Sequence, residues 1–281
     1  MAAPKQVHAL TVDVEDYFQV SALAPYIPRQ TWPSIQSRVE ANVDRLLAMF
    51  DEAGARATFF TLGSVAVRHP ALVRRIADAG HEVASHGFDH WRATDQTPEQ
   101  FLSDIVRARN LLEDLVGQPV IGYRAPSFSI GSQSQWAFDQ LRAAGYRYSS
   151  SVYPVRHDHY GMPDAPRTRF LSRPGLVELP LPTVRRMGRN LPAGGGGYFR
   201  LLPYGLSRWL LSGYSKETGQ PAIFYFHPWE IDPEQPRVPD VDAKTRLRHY
   251  INLDRTQGRL KRLLRDFEWN RIDRLFVVDA G

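Results

Sequence analysis

The sequence predicts an α/β fold, an irregular (β/α) barrel of about seven to eight parallel strands. Two observations lead to this class. In the first half of the chain, an amphipathic helix, a glycine and a short buried strand follow one another four times. This order is typical of parallel strands joined by helical crossovers. Polar residues also recur directly after the strands, and in a barrel those strand ends meet at one mouth.

The four repeating units can be located along the chain. Each begins with apolar residues at helical spacing and passes through a glycine into an apolar run. The third helix has a defined start, because Thr97-Pro98-Glu99-Gln100 is a capping box with proline at the first helical position. We expect the helix–strand pairs at 39–50 with 57–62, 72–76 with 81–84, 97–115 with 120–123, and 136–141 with 146–152.

The rest of the chain supplies the remaining elements. Segment 154–197, rich in proline, arginine and glycine, is predicted to form long loops over one barrel face. Its glycines 194–197 either bring backbone close to a ligand or form a mobile loop. We expect one domain over residues 1–281, in which the part from about 155 to 281 completes the barrel. Further strands are expected at 8–14, 176–179, 222–226 and 275–278, and further helices at 206–211 and 243–267.

Composition excludes several classes of site and protein. The 281 residues are 43% hydrophobic and 23% charged, as in a globular protein with a sizeable core. There is no cysteine, which rules out disulfides, thiolate metal sites and thiol nucleophiles. No run approaches the roughly 18 apolar residues of a membrane span. Residues 1–6 lack the apolar region of a signal peptide, so we expect a cytoplasmic location.

The net charge of +5 comes mainly from arginines that cluster in the second half of the chain. They are not interleaved with aromatic residues as in a nucleic-acid-binding surface, so no nucleic-acid partner is expected. A solvated arginine surface is the simplest interpretation. It is also compatible with peripheral association at the acidic inner face of a membrane.

A pair of histidines follows the third predicted strand. His86 and His90 are four residues apart, and Gly87 eases the turn that brings both imidazoles to one metal ion. Asp13, Glu15 and Asp16 end the first strand. Two histidines and a carboxylate form a facial ligand set for a divalent cation and leave coordination positions open.

Two more polar residues end other predicted strands. Arg124 follows the strand at 120–123, and His227 follows the strand at 222–226. Near a divalent cation, a further carboxylate could deprotonate water, an arginine could hold that carboxylate, and a histidine could protonate a leaving group. The four strand ends together therefore indicate a hydrolytic metal site.

These residues resemble the motifs of the NodB-homology polysaccharide deacetylases, carbohydrate esterase family 4. The strand end at residues 11–16, the Ser85-His86 and His90 pair, Arg124-Ala125-Pro126 and Phe226-His227 match its four motifs. The chain also resembles a subgroup of this family that has a C-terminal extension and is found in exosortase-linked exopolysaccharide loci. This closer resemblance lies in the longer strings TVDVEDYFQV, SHGFDH, GYRAPSFSI, FYFHPWEIDPEQPR, GGGGYFRLLPY and RHYINLDRT.

The resemblance implies a metal-dependent hydrolase that removes N-acetyl groups from N-acetylhexosamine units of a bacterial glycan. It implies a divalent metal, with zinc expected, held by His86, His90 and a carboxylate. Asp13 would be the general base, held by Arg124, and His227 the general acid.

The resemblance also implies how this site would hold its substrate. A backbone N–H near Ser127 or Phe128 would help to stabilise the oxyanion. Sugar platforms are expected at Tyr17, Phe128 and Trp229.

The chain departs from the family pattern at two positions. Val14 follows Asp13, where the family has adjacent aspartates. Alternation along a strand makes Glu15 the metal ligand, whereas Asp16 takes that place if the strand ends early. Ser149 lies where relatives often carry the aspartate that orients the acid histidine. We therefore expect another carboxylate to contact His227, with Glu178 as one candidate.

Two other functions stay open from the sequence. One is a small-molecule amidohydrolase of the same fold that opens a cyclic amide; its metal content and a sealed pocket would distinguish it. The other is a glycan-binding protein that has lost catalysis, suggested by the altered first motif and the missing aspartate. Glycan binding without acetate release would distinguish that one.

Overall fold

A curled, mostly parallel sheet organises the part of the chain that the computed structural model describes, residues 5–157 and 161–277. Its strands follow the order β10-β1-β2-β3-β4-β5-β7-β6; β11 pairs with the start of β1, and β8 pairs with β9 in a separate hairpin. Every pair in the main sheet is parallel except β6 with β7. The strands are β1 (Val7–Val14), β2 (Thr58–Thr61), β3 (Glu82–Ser85), β4 (Gly122–Tyr123), β5 (Tyr148–Ser149), β6 (Phe170–Leu171), β7 (Val177–Glu178), β8 (Thr183–Arg186), β9 (Arg189–Pro192), β10 (Ile223–Phe226) and β11 (Glu268–Asn270).

Helices connect the strands, as the repeating units predict. The third predicted helix begins after its Thr97 capping box and ends at the left-handed Gly117. The helices are α1 (Val39–Glu52), α2 (Gly63–Arg68), α3 (Pro70–Asp78), α4 (Pro98–Val116), α5 (Ala137–Ala143), α6 (Gly196–Leu201), α7 (Tyr204–Thr218), α8 (Ala243–Tyr250), α9 (Leu253–Asp266) and α10 (Ile272–Phe276). None of the helices in the described ranges has the length and apolar character that crossing a membrane requires.

The alternation of β1 separates the outer core from the barrel interior. Leu10, Val12 and Val14 belong to the large apolar cluster that includes the helices. Thr11 and Asp13 alternate with them and both contact Arg124 on the inner side. Because side chains alternate along a strand, this register carries polar groups up the inside of the barrel to its mouth.

Single backbone hydrogen bonds bridge the sheet between β7 and β10, where no regular strand pairing occurs among the described residues. Leu181 N–H donates to Val152 O, Ala193 N–H to Pro182 O and Tyr225 N–H to Gly194 O, at 2.7–3.0 Å. The predicted irregular barrel is thereby confirmed, with its irregular side formed by the segment expected to be long loops.

Two expectations for the second half of the chain were wrong. Segment 154–197 contains the hairpin β8–β9 as well as loops, because Met187 and Gly188 both adopt positive φ and form a tight turn. Residues 275 and 276 of the strand expected at 275–278 lie in helix α10, Val277 follows that helix, and β11 pairs with β1 instead; residue 278 lies outside the described residues. A short apolar run does not by itself distinguish a strand from a helix.

Glycines 194–197 approach β10, and Gly197 also lines the cavity at the mouth of the barrel. Gly195 forms a bridge with Tyr225 and has a φ of +107°. A Cβ atom there would lie 2.2 Å from the Tyr225 carbonyl oxygen. Gly196 begins α6, so part of the glycine run is helical.

We expect Gly195→Ala to lower the free energy of unfolding by roughly 1–3 kcal/mol, because the new side chain meets both a forbidden backbone conformation and the Tyr225 carbonyl. Gly205→Ala is the matched control. Gly205 lies in α7, and a Cβ atom added there would have no atom within 4 Å, so its variant should be neutral or slightly more stable. Chemical denaturation of both variants would measure this; equal stabilities would contradict the close approach.

Candidate active site

Five strand-end residues of the sequence analysis meet at the mouth of the barrel. Asp13 lies in β1, Glu15 follows β1, His86 follows β3, Arg124 follows β4 and His227 follows β10. Except for Arg124, which is completely buried beneath, they line one cavity of about 490 Å³. Parallel strands therefore deliver one carboxylate-rich, histidine-containing site to their carboxyl ends.

Glu15, His86 and His90 form a compact cluster of metal-ligand type. One ligand atom from each lies within 4.8 Å of the others, and all three side chains are buried. His90 Nε2 is 2.8 Å from Glu15 Oε2. His86 Nδ1 donates to Arg124 O at 2.8 Å, which leaves the His86 Nε2 lone pair available.

The chemistry of this cluster fits a divalent cation. His90 Nδ1 is buried and lacks a hydrogen-bond partner among the described residues. Burial lowers the pKa of His86 to about 4, so its imidazole is neutral at pH 7, as a ligand must be. Burial alone would raise the pKa of Glu15, but His90, His227 and His86 outweigh it and hold the value at about 2. Glu15 is therefore an ionised carboxylate beside the neutral imidazole of His86.

The structure places Asp16 outside this cluster. Its Oδ2 accepts hydrogen bonds from Ser37 Oγ and from the backbone N–H groups of Arg38 and Val39. Its Oδ1 accepts the Tyr17 N–H. Asp16 thus fastens the chain before α1 to the end of β1, and the geometry favours Glu15 over Asp16 as the ligand.

Asp13 and Arg124 make the contact that the sequence predicts. Arg124 Nη1 donates to Asp13 Oδ1 at 2.7 Å, and both side chains are almost fully buried. The same guanidinium bonds Thr11, Ser150 O and Ser150 Oγ, and it lies 4.1 Å from the centre of the Phe60 ring. With its donors engaged on several sides, Arg124 fixes one Asp13 oxygen and leaves the other directed elsewhere.

His227 lies beside both other acids of the site. Its Nε2 is 3.4 Å from Glu15 Oε1 and 3.9 Å from Asp13 Oδ2. Its Nδ1 is 2.7 Å from Glu230 Oε1. The expected carboxylate partner is therefore Glu230, three residues along the chain. Glu178 instead accepts the N–H groups of Ser151 and Val152.

The charge around His227 favours its protonated form. Burial would lower the pKa of His227, but Glu15, Glu230 and Asp13 raise it to about 9. The His227 side chain is still 19% exposed, so one face remains open to the cavity. This is the environment that a proton donor requires at neutral pH.

Arg200 is a site residue that the sequence analysis missed. Its Nε donates to Glu230 Oε2 at 2.6 Å, and its Nη1 donates to His249 O at 2.6 Å. Arg200 lies in α6, the helix that begins at the glycine run packed on Tyr225. The run GGGGYFR stands out in the sequence, but only the packing of α6 shows what its arginine contacts.

The three predicted sugar platforms differ in position. Phe128 and Trp229 line the cavity, and Trp229 stacks between His227 and His249. Tyr17 is buried against Phe18, in the apolar cluster that also contains Trp229, and does not line this cavity. We therefore keep Phe128 as the platform candidate, because both faces of the Trp229 ring are covered by His227 and His249 and Tyr17 is packed elsewhere.

Metal binding should distinguish Glu15 from Asp16. We expect Glu15→Gln and His86→Ala to lose stoichiometric zinc, because each removes one of three donors. Asp16→Asn should keep zinc and lose about 1 kcal/mol of stability through its weakened capping bonds. Elemental analysis after zinc reconstitution and desalting measures both; zinc retained by Glu15→Gln but lost by Asp16→Asn would reverse the assignment.

Comparison with known proteins agrees with this geometry. Residues 3–149 match the family model "Polysaccharide deacetylase", and residues 150–277 match "Domain of unknown function (DUF3473)". The peptidoglycan-N-acetylglucosamine deacetylase PgdA of Listeria monocytogenes is 33% identical over 144 residues, 46% of this chain and 30% of that protein. A peptidoglycan deacetylase of Helicobacter pylori is 29% identical over 113 residues, 40% of this chain and 38% of that protein.

The chain thus spans well under half the length of these two curated relatives. A solved structure from Mycobacterium smegmatis, described as a candidate polysaccharide deacetylase, has the same fold over nearly the whole chain. Its TM-score is 0.60 at 19% identity, and the alignment covers 98% of this chain and 90% of that one. The family model matches more than half of the residues, including β1 to β5. The chain belongs to the polysaccharide deacetylase family.

Proposed function

We propose that this protein is a metal-dependent N-deacetylase that acts on N-acetylhexosamine residues of a bacterial polysaccharide or its precursor. One observation carries the proposal: a metal-ligand cluster, an arginine-held carboxylate and a carboxylate-held histidine share one cavity. The names of the curated relatives support N-acetylglucosamine as the sugar. The cytoplasmic location stays a prediction from the sequence.

Glu15, His86 and His90 would hold the cation, with zinc as the expected ion. When bound, a divalent cation polarises a carbonyl oxygen and makes water more acidic. Asp13 would accept a proton from the attacking water through the oxygen that Arg124 does not hold. Arg124 holds that carboxylate in place, so Asp13 needs little reorganisation when the proton moves.

His227 would then donate a proton to the leaving amine. Its pKa of about 9 keeps the imidazolium populated at neutral pH, and Glu230 orients the ring through Nδ1. Nε2 is thereby left on the side of Glu15 and Asp13, where the substrate would react. Of the two oxyanion donors considered, Ser127 is favoured, because the Phe128 N–H already donates to Ala125 O at 3.0 Å.

Neither alternative function has a specific observation in its favour. The binding-protein hypothesis arose from the altered first motif and the missing aspartate. Glu15 lies in the cluster of metal-ligand type, and Glu230 contacts His227 as the missing aspartate would. This supports catalysis over binding alone.

The direct test is acetate release from N-acetylglucosamine oligomers. We expect release with zinc and its loss with a chelator. Asp13→Asn should lower turnover by on the order of 10²–10⁴-fold, the usual contribution of a general base, while zinc content stays near that of the wild type. Asp16→Asn is the matched control and should keep most of the activity. Full turnover in Asp13→Asn would refute the role of Asp13.

The pH profile tests His227. Activity needs the protonated imidazole, so kcat/KM should fall as the pH rises through the pKa of His227. Glu230→Gln removes a charge that raises this pKa and should move the alkaline fall to lower pH by roughly one to two units. Zinc-loaded wild type and variant are compared under identical conditions. An unshifted alkaline limb would show that Glu230 does not set the proton affinity of His227.

A further inference from the structure

A second cavity, of about 660 Å³, lies beside the active-site cavity. The second cavity is lined by the segments that follow β1, β2 and β3, the active-site cavity also by segments that follow β1 and β3, and Arg29 lines both. Neighbouring residues face opposite sides of the wall between them. Glu15 and His90 line the active site, whereas Asp16 and Asp89 line the second cavity. A glycan chain bound in the active site could therefore continue past Arg29 into this cavity.

Aromatic rings form much of the second cavity. Phe18, Trp32 and Trp91 line it, and the Arg29 guanidinium lies 4.8 Å from the Trp32 ring centre and 4.0 Å from that of Trp91. Trp91 is still 42% exposed, and Val67 at the rim is 60% exposed. The indole Nε1 of Trp32 is buried and has no hydrogen-bond partner in the described ranges. The cavity thus offers apolar ring faces and an unused donor.

The cations of the cavity are already engaged. Arg29 donates to Asp89 O, and to His90 O at 2.9 Å. Arg68 donates to Ile35 O at 2.7 Å. The carboxylates of Asp16 and Asp89 also line the cavity. Phosphate and other anions would meet occupied guanidinium groups beside two carboxylates, which disfavours an anionic ligand.

We infer that this cavity is a subsite for an uncharged sugar ring of the glycan, two or more rings along the chain from the ring whose acetamide lies at the metal cluster. A pyranose presents C–H groups that pack on aromatic faces and hydroxyls that pair with polar groups, such as Gln19 and Trp32 Nε1 in this lining. This subsite rests on the proposed function, and it makes the enzyme selective for chain length.

The test compares the N-acetylglucosamine dimer and pentamer as probes. In the zinc-loaded wild type, we expect the pentamer to have the higher kcat/KM. Trp91→Ala should lower kcat/KM for the pentamer by on the order of tenfold and leave the dimer nearly unchanged, because only the longer chain covers Trp91. Trp91→Phe should restore most of the pentamer value. Trp209→Ala is the matched control, since Trp209 is 49% exposed on α7 and lines neither cavity.

Several results would overturn the subsite. One is an equal loss for dimer and pentamer in Trp91→Ala, or a loss of zinc, since Trp91 would then only support the His90 loop through Arg29. Pentamer kinetics that are unchanged in Trp91→Ala would also overturn the subsite, but they would not affect the proposed function. If the wild type releases no acetate from either oligomer, the proposed function fails, and pentamer calorimetry decides on the subsite. Weaker binding in Trp91→Ala with recovery in Trp91→Phe supports it; equal or absent binding overturns it.

Discussion

Three carboxylates, Asp13, Glu15 and Glu230, are buried within one cavity at 2%, 2% and 1% exposure, and the site depends on how their charges are compensated. An isolated buried carboxylate is strongly unfavourable. Arg124 compensates Asp13 and Arg200 compensates Glu230, each through a short ion pair. Glu15 has imidazoles as its neighbours instead, with His90 Nε2 at 2.8 Å and His227 Nε2 at 3.4 Å. A cation at the Glu15 cluster completes this balance.

Arg124 is held by a part of the chain that lies far from it in sequence. Arg124 is fixed by the loop after β5, where Ser150 accepts from its guanidinium and Ser151 Oγ accepts the Ala125 N–H. Glu178 in turn accepts the backbone N–H of Ser151. Ser150 and Ser151, which follow the Ser149 position of the missing aspartate, therefore order the Asp13 clamp, and Glu230 makes the contact with His227.

Sequence alone predicts the residues whose position follows from a local rule. His86 and His90 follow from ligand type and spacing after a strand. Strand alternation favours Glu15 as the third ligand but leaves Asp16 open, and only the hydrogen bonds of Asp16 to Ser37, Arg38 and Val39 separate the two. The strand order of the first half follows from the repeated helix–glycine–strand unit.

The remaining features depend on packing that no local pattern encodes. Arg200 meets Glu230 only because the glycine run lets α6 approach β10, and the two residues are 30 positions apart. The hairpin β8–β9 lacks apolar alternation, since its outer residues are exposed arginines. At the C-terminal end, the choice between β11 and the predicted strand 275–278 is made by pairing with β1, which is distant in sequence.

The claim that a cation balances Glu15 is tested most directly by anomalous diffraction at the zinc edge from crystals grown with zinc. We predict one strong peak, about 2.0–2.2 Å from a Glu15 oxygen, from His86 Nε2 and from one nitrogen of His90. Arg124 should still bond Asp13, and Asp16 should still bond the backbone before α1. A crystal with no peak at this cluster, or with the peak on Asp16, would contradict the account.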